Sequence, residues 1–562
     1  MTLHELVPTL EQQSQLRSAF HHAVCSLLLD NLPGLKGDEN RIRQIKSKVA
    51  AAKLVVRPLE GAGEKTNFYP LPALNEEESS VRGTIRVVQK LVRDILGLGV
   101  EIAASKLRFF VGDWLTIRNL RLMKYIRITE PEAWGRMDWV QEVAMPFHFQ
   151  LNAMYMLFRT HLGESDNNPS CLDRHRTRLR RYKLDKKKPE FNQARELMEQ
   201  SLVARLLDIT RFVQCFSKSN LLTGCSIRII LKLETTEELY EWQPRWQEFN
   251  GVVHTIVDEY SMVFEADTTL ATTDNVLKHS KLFIRDALIF WVFSDAIRHE
   301  DVGLMWLVYT FWLFMFRGVG CHNYGNELLE MTAQFRYEMT EQLQRVTERT
   351  WLVNRWGKLG RAIPTDLYLE HNNGFIKVRQ PAGPRKEAYP TFQNLFAAQG
   401  SCASISYIQN KCSGPVDLLR RLSRDVATYF NVTDINRTSS TVNAEADIRA
   451  LAMDLKDARV HTFVPGRTVT HVGPSKGKGV VDILTEGKEV LERGAFRNWK
   501  DRTGKLGADI FGYDLEYQHQ KGVAVGEHGF KGEADVNECK DVDEEMSVEL
   551  DALADAEMEN EI

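Results

Sequence analysis

The sequence predicts an α+β protein that is predominantly helical, and three observations support this fold class. Apolar residues recur every three or four positions through most of 1–60 and 114–350, which is the period of a helix with one buried face. Two short runs rich in β-branched and aromatic residues, KLRFFVGDW at 106–114 and CSIRIILKL at 225–233, are the strand candidates. Hydrophobic residues make up 43% of the chain, including 11 Trp and 27 Phe, so we expect a large core.

The helical pattern has recognisable starts and stops. The run EEESSVRGTIRVVQKLVRDILGLG, at 76–99, predicts a capped amphipathic helix that ends at glycine. The most apolar run, 302–316, has 15 uncharged residues and is shorter than the roughly 20 that a bilayer requires. We therefore expect a buried core helix there, and no membrane partner.

Composition changes suggest four regions. We expect an N-terminal helical region at 1–100, a core with a long helical insertion at 101–390, a helical and loop extension at 391–534, and an acidic, disordered tail at 535–562. The tail has twelve acidic residues against one lysine, a net charge of −11, which leaves about +7 on the rest of a chain of net charge −4. Such a mildly basic body permits contact with a polyanion.

Several function classes lack their sequence signals. The eight cysteines are scattered without a Cys-x-x-Cys pair, which argues against a zinc finger or a disulfide framework and favours reduced thiols. The N-terminus does not resemble a signal peptide. No phosphate-binding glycine loop is present, so kinase and nucleotidase activities have little support, and no small-molecule cofactor is expected. The run GPSKGK at 473–478 matches Gly-x-Ser-x-Gly and Ser-x-x-Lys, but it lies in a stretch rich in Gly and Lys without a strand pattern before it, so serine hydrolase activity also has little support.

Asp113 is the sharpest candidate for chemistry, because it ends the hydrophobic strand FFVGD. Acids in this position hold two divalent cations in nucleases and transposases of the RNase H type, and oxygen ligands favour Mg²⁺ or Mn²⁺. The alternative is that Asp113 is a turn residue or caps the helix that follows.

Three further segments carry candidate residues, each with a structural alternative. His148 lies between aromatic neighbours, where a hydrogen-bonded core histidine is the alternative to a ligand. Glu327 opens an amphipathic stretch, where the helix dipole alone favours an acid. In the segment DLYLEHNN, Asp366 and Glu370 share one helical face, which suits a polar network as well as a metal site.

A basic segment runs from 174 to 188. Phosphate contacts, a nuclear import signal and a solvated surface loop are the three interpretations of such a run. Its candidate nucleic-acid-binding residues are Arg174, Arg176, Arg178, Arg180, Arg181, Lys183, Lys186, Lys187 and Lys188.

Several of these motifs together resemble one known family. The runs YPLPALNEEESSVRG, FFVGDWLTIRNLRLMKYIR, MPFHFQLNAM, FRGVGCHNYGNELLEM, WLVNRWGKLGRAIPTDLYLEHNNGFIK and ADIRALAMDL occur in the family's order between about residues 15 and 500. The family is an expanded set of domains of unknown function in mushroom-forming (basidiomycete) fungi, family 6589. It is similar in places to transposases of the Kyakuja, Dileera and Zisupton kind, which implies a small RNase H-like mixed sheet with a large helical insertion.

The resemblance also implies roles for single residues. Asp113 matches the acid of the family's Gly-Asp-x-Leu-Thr motif, and Glu327 matches the acid of its Tyr-x-x-Glu motif. The resemblance makes both catalytic metal ligands. His148 matches the Phe-His motif, and Glu370, His371 and Asn373 match a Leu-x-x-Glu-His-x-Asn segment.

One departure affects the expected activity. Longer members have an upstream strand ending in Tyr-Asp-Asn, and Asp30-Asn31 is a poor substitute because it falls at the end of a helical pattern. We therefore expect a protein derived from a DNA transposase, truncated and catalytically impaired, with Mg²⁺ bound only if the ancestral site survives. The alternatives are a non-catalytic remnant that binds nucleic acid or protein, and an active magnesium-dependent nuclease or strand transferase. The expected partner is DNA, in the nucleus rather than the cytoplasm.

Overall fold

Helix predominates in the computed structural model, as the sequence predicts. The structure describes residues 1–32, 38–72, 74, 76, 78–186, 189–211, 214–217, 227–230, 242–263, 273–376, 414–429, 444–469 and 481–501. The acidic tail, Lys187, Lys188 and much of the predicted 391–534 extension lie outside these residues.

Most of the described residues belong to α-helices. They are α1 (Leu3–Leu6), α2 (Leu10–Asn31), α3 (Glu39–Ala51), α4 (Val81–Gln89), α5 (Val100–Ala104), α6 (Trp114–Ile126), α7 (Ala133–Arg136), α8 (Pro146–His161), α9 (Leu172–Arg178), α10 (Phe191–Thr210), α11 (Trp246–Ile256), α12 (Asn275–Arg298), α13 (Val302–Val319), α14 (His322–Ala333), α15 (Glu341–Arg349), α16 (Thr365–Ile376), α17 (Val416–Tyr429), α18 (Ala444–Asp457) and α19 (Ile483–Val490). Short π-helical segments, at Lys90–Ile95, Val257–Ser261, Gln334–Glu338 and Leu491–Ala495, continue four of them.

The strands of the described residues pair two by two. They are β1 (Arg108–Gly112), β2 (Val140–Ala144), β3 (Gln214–Ser217), β4 (Ile227–Ile230), β5 (Leu352–Val353) and β6 (Ile363–Pro364). β1 pairs in parallel with β2, whereas β3–β4 and β5–β6 are antiparallel. Both predicted strands are confirmed, as β1 and β4. The described residues contain no larger sheet, so the RNase H-like sheet is not confirmed.

The chain divides into two compact units, each made of separate segments. Unit 1 comprises Met1–Leu59, Gln150–Leu329 and Thr441–Phe496, and unit 2 comprises Glu60–Phe149, Glu330–Ser440 and Arg497–Ile562. The four contiguous regions that the composition suggests remain predictions.

Helix α13 forms the centre of unit 1. The side chain of Asp301 caps its first turn by accepting a hydrogen bond from the Leu304 N–H at 2.9 Å, and Gly320 ends it in the left-handed conformation at φ 86°. By length and composition this helix could cross a membrane, but 78% of it is buried inside the protein. Burial of this kind is what the sequence predicts for a core helix.

Helices α13 and α19 approach each other through glycine. A Cβ on Gly318 would lie 2.0 Å from the carbonyl oxygen of Ile483, and one on Gly487 would lie 1.7 Å from that of Phe314. Both distances are far below van der Waals contact, so the two backbones touch only because neither glycine has a side chain.

Unit 2 contains the predicted capped helix. Ser80 accepts a hydrogen bond from the Gly83 N–H at 3.1 Å, which starts α4, and Gly97 follows its π-helical continuation with φ 63°. Helix α6 packs against α4 and β2, and it connects the two parallel strands.

Candidate functional site

The parallel pair β1–β2 places two of the predicted residues at one edge. Gly112 and Ala144 are paired at the carboxyl ends of the strands, so Asp113 and the start of α8 follow them on the same side. Carboxyl ends of parallel strands are where α/β folds place their ligand sites. His148, in the first turn of α8, belongs to this edge.

Asp113 caps helix α6. Its Oδ1 accepts a hydrogen bond from the Thr116 N–H at 2.7 Å. The predicted structural alternative for this residue is therefore present, because a capping carboxylate satisfies an amide that the helix leaves without a partner.

His148 and Asp366 form a buried pair. The imidazole Nδ1 lies 2.9 Å from Asp366 Oδ2, which also accepts from the His148 backbone N–H at 3.1 Å. Burial by itself lowers the pKa of His148. The hydrogen bond and charge of Asp366, with the charges of Asp113 and Glu370, outweigh burial and raise that pKa to about 9. The edge thus holds an imidazolium among carboxylates at neutral pH.

Helix α16 supplies the remaining predicted residues of this edge. Asp366 begins its first turn, and Glu370 lies one turn further on. His371 is buried and Asn373 is partly buried on the same helix. These positions agree with the polar network that the sequence offers as one interpretation of the segment. The structure brings four predicted residues together at this edge. His148 contacts Asp366 directly, and the charges of Asp113 and Glu370 act on the same imidazole.

Glu327 belongs to the other compact unit. It lies in α14 and is 2% exposed, whereas Asp113 belongs to unit 2. Within the described ranges no group of three or more His, Cys, Asp or Glu side chains is arranged to hold a metal ion. Shared metal binding by Asp113 and Glu327 therefore remains a prediction from the resemblance.

Four of the seven described cations of the basic segment are paired inside unit 1. Arg176 and Lys186 both contact Asp173, each at 2.9 Å. Arg174 binds Asp454 at 2.9 Å, and Arg181 binds Asp447 at 2.8 Å. These four side chains stabilise the fold around α9.

Three cations of the same segment differ from these four. Arg178, Arg180 and Lys183 are exposed, and none of them forms an ion pair with any residue that the structure describes. Arg180 adopts the left-handed conformation, with φ 56°, and Leu184 is buried, so the turn that presents these cations is anchored. Tyr182, between them in sequence, is 64% exposed.

A buried polar network in unit 1 has no counterpart in the sequence predictions. Ser280 Oγ lies 2.8 Å from His461 Nε2, and His461 Nδ1 lies 2.7 Å from Asp208 Oδ2. This is the connectivity of a serine hydrolase triad. The three residues are 0%, 2% and 3% exposed, so no substrate reaches the hydroxyl.

The same network continues through a second histidine chain. Asp286 Oδ2 lies 2.9 Å from His161 Nε2, His161 Nδ1 lies 3.1 Å from His279 Nε2, and His279 Nδ1 lies 2.8 Å from Ser170 Oγ. Arg205 connects the two chains, because it donates to the Ser170 carbonyl at 2.5 Å and to Ser280 Oγ at 3.1 Å. Contacts spanning up to 253 residues give no local sequence signal.

The fold gives the class of this protein, and the comparison with known proteins gives its family. The class is a predominantly helical protein whose described residues contain only small two-stranded sheets. Residues 1–438 match a family of unknown function (DUF6589), and the chain belongs to that family. Neither the curated proteins nor the solved structures include a significant match.

Proposed function

We propose that this chain is a non-catalytic nucleic-acid-binding protein of fungal origin, derived from a DNA transposase, that acts in the nucleus. Its contact surface is the basic patch, defined as Arg178, Arg180 and Lys183. The observation that carries the proposal is that these three cations are exposed without ionic partners among the described residues, whereas four neighbours are paired.

The chemistry of the patch suits phosphate. Unpaired surface cations bind a phosphate backbone without breaking an internal ion pair, and the counterions released from nucleic acid drive the association. Two of the three are arginines, whose planar guanidinium matches a phosphate with two hydrogen bonds. The exposed ring of Tyr182 offers a surface on which a base can stack.

Catalysis is the alternative function. The position of Asp113 at the carboxyl edge of β1 supports a magnesium-dependent nuclease or strand transferase. Two metal ions about 4 Å apart need several acids that converge on them. Asp113 is engaged as a helix cap, and the described residues contain no ligand group for a metal, so binding without catalysis has the better support.

The test is binding of labelled duplex DNA between about 50 and 200 mM salt, where each phosphate contact contributes about 0.9 to the logarithmic salt slope. Changing Arg178, Arg180 and Lys183 together to Gln is expected to weaken binding and to reduce the slope by about two to three. A matched control changes three other exposed cations, Lys106, Arg349 and Arg497, to Gln. These substitutions remove the same amount of charge. Equal losses in the two triple variants would show that only net charge matters, and would refute the proposed surface.

A further inference from the structure

Helix α18 covers part of the basic segment with acids. It packs against α9 and α10 through a face that includes Ile448, Leu451 and Leu455, all buried. Asp447 and Asp454 are seven residues apart, which places them on the same side of the helix, two turns from each other. Each of them contacts an arginine of the basic segment.

The geometry of these contacts resembles phosphate recognition. Arg174 donates from Nε to Asp454 Oδ2 at 3.0 Å and from Nη2 to Asp454 Oδ1 at 2.9 Å, a two-pronged contact with parallel N–H groups. Arg181 donates from Nη2 to Asp447 Oδ2 at 2.8 Å, and the same group also donates to Glu196 Oε1 at 2.9 Å and to Gln200 Oε1 at 2.7 Å. A guanidinium presents the same fork to a phosphate as to a carboxylate, so one ligand excludes the other.

The acids and the arginines lie on different sides of the family boundary. The basic segment falls within residues 1–438 that match the family, whereas α18 begins at Ala444. The helix that contacts the two arginines therefore begins after the matched range, although its run ADIRALAMDL resembles one of the family's motifs.

We propose that α18 is an autoinhibitory helix, whose Asp454 occupies the phosphate-binding groups of Arg174. This inference rests on the proposed function and concerns regulation of the same surface. With the carboxylates in place, the surface offers the three cations of the basic patch. With Asp454 neutralised or displaced, it offers four, because Arg174 becomes available while Arg181 stays paired with Glu196.

Competition is feasible because the pairs reach solvent. The side chain of Arg174 is 40% exposed, although Asp454 is only 9% exposed. A partly exposed ion pair contributes little to stability, so a polyanion with many phosphates can compete with it. The apolar face of α18 remains packed when only its carboxylates lose their charge, so Asp→Asn changes test the competition and leave the helix in place.

The experiment compares three single variants that each remove one negative charge from α18. Asp454→Asn releases Arg174. Asp457→Asn is the first control, because Asp457 is exposed and forms no ion pair with a described residue. Asp447→Asn is the second control, because Arg181 keeps its ion pair with Glu196 when Asp447 loses its charge. Binding of labelled duplex DNA is measured across salt. We expect Asp454→Asn to tighten binding and to steepen the salt slope by about 0.9, and both controls to leave the slope unchanged.

A double-mutant cycle separates release of Arg174 from general effects. Arg174→Gln is expected to abolish the gain that Asp454→Asn produces, so Arg174→Gln and the double variant are expected to have equal salt slopes. Asp454→Glu, which keeps the charge, is expected to bind like the wild type and serves as the conservative variant if Asp454→Asn unfolds.

The outcomes distinguish the two proposals. Equal salt slopes for Asp454→Asn and Asp457→Asn, with weakened binding in the Arg178, Arg180, Lys183 variant, would overturn autoinhibition and keep the proposed function. Binding that is unchanged in that triple variant would remove the proposed function, and autoinhibition with it.

Discussion

Arg174 and Asp454 are 280 residues apart in sequence and meet in a contact of two parallel hydrogen bonds, 3.0 Å and 2.9 Å long. The pair joins α9 to α18 in unit 1. Further along the chain, Arg467 binds Asp274 at 2.7 Å, and Asp482 binds Arg285 at 2.8 Å. The segment after residue 441 is thus held to the helical core by several separate charge contacts.

The first prediction concerns this attachment. Asp454→Asn is expected to lower the protection of α18 amides against hydrogen exchange by about 0.5–1 kcal/mol, because the pair is partly exposed. Asp457→Asn, on the same helix, is expected to leave protection unchanged. Equal protection in both variants would show that the apolar face alone holds α18.

A second prediction follows from the glycine contact between α13 and α19. Gly487→Ala is expected to destabilise unit 1 by at least about 1–3 kcal/mol, since its Cβ would meet the Phe314 carbonyl at 1.7 Å and the backbones would have to separate. Gly99→Ala is the control, because nothing lies within 4 Å of a Cβ there. Urea unfolding of both variants measures the difference, and similar midpoints would contradict such close packing.

A third prediction is a loss of stability at alkaline pH. The pKa of His148 is raised from 6.5 to about 9 in the folded chain, so the folded state binds the proton more tightly than the unfolded state. The resulting stabilisation is complete below pH 6.5, declines as the pH rises, and is absent above pH 9. Nuclear magnetic resonance titration of His148 measures this pKa. In Asp366→Asn the pKa of His148 is expected to fall. An unchanged pKa would show that Asp366 does not stabilise the protonated imidazole.

The fourth prediction has the opposite sign and concerns acid. Burial lowers the pKa of His161, His175 and His461 below 6.5, so these side chains are neutral in the folded protein. Below pH 6.5 these histidines bind protons in the unfolded chain but stay neutral in the folded chain. Unit 1 therefore loses stability as the pH falls. Urea midpoints at neutral and acidic pH measure this loss. His461→Gln is expected to be less stable at neutral pH but to depend less on pH, and an undiminished dependence would exclude His461 as a source.

A fifth prediction separates the capping role of Asp113 from a metal-binding role. Asp113→Asn retains a capping oxygen and is expected to keep the stability of the wild type, while Asp113→Ala is expected to lose about 1 kcal/mol. Magnesium calorimetry of the wild type and Asp113→Asn gives the second readout. A heat of Mg²⁺ binding present only in the wild type would favour the nuclease alternative, whereas the same heat in both proteins would leave Asp113 as a cap.

The sequence predicted features whose cause is local. The cap at Ser80, strand β1, the apolar helix α13 and the capping alternative for Asp113 all depend on residues within a few positions of each other. The candidate residues His148 and Glu370 are also identified from their own segments, and the helical spacing places Glu370 beside Asp366, but nothing local indicates that His148 contacts Asp366.

Features built from distant residues were missed for a physical reason. His461 lies 253 residues from Asp208 and 181 from Ser280, and a lone histidine in a loop has the same local pattern whether or not it is buried. Similarly, the run from Arg174 to Lys186 reads as a uniform basic stretch. Only the fold determines that Asp454 and Asp447 neutralise two of its arginines, while Arg178 and Arg180 face solvent.

The alternation of the chain between its two compact units has a practical consequence for dissection. Each unit takes segments from the beginning, the middle and the end of the sequence, so a single cut of the polypeptide cannot release either unit whole. A fragment that stops at residue 390 would lack α18 and α19. Helix α13 would then lose α19, whose Gly487 packs against it. Shortened versions of this protein are therefore expected to expose the apolar surface of α13 and to aggregate, whichever activity they are made to isolate.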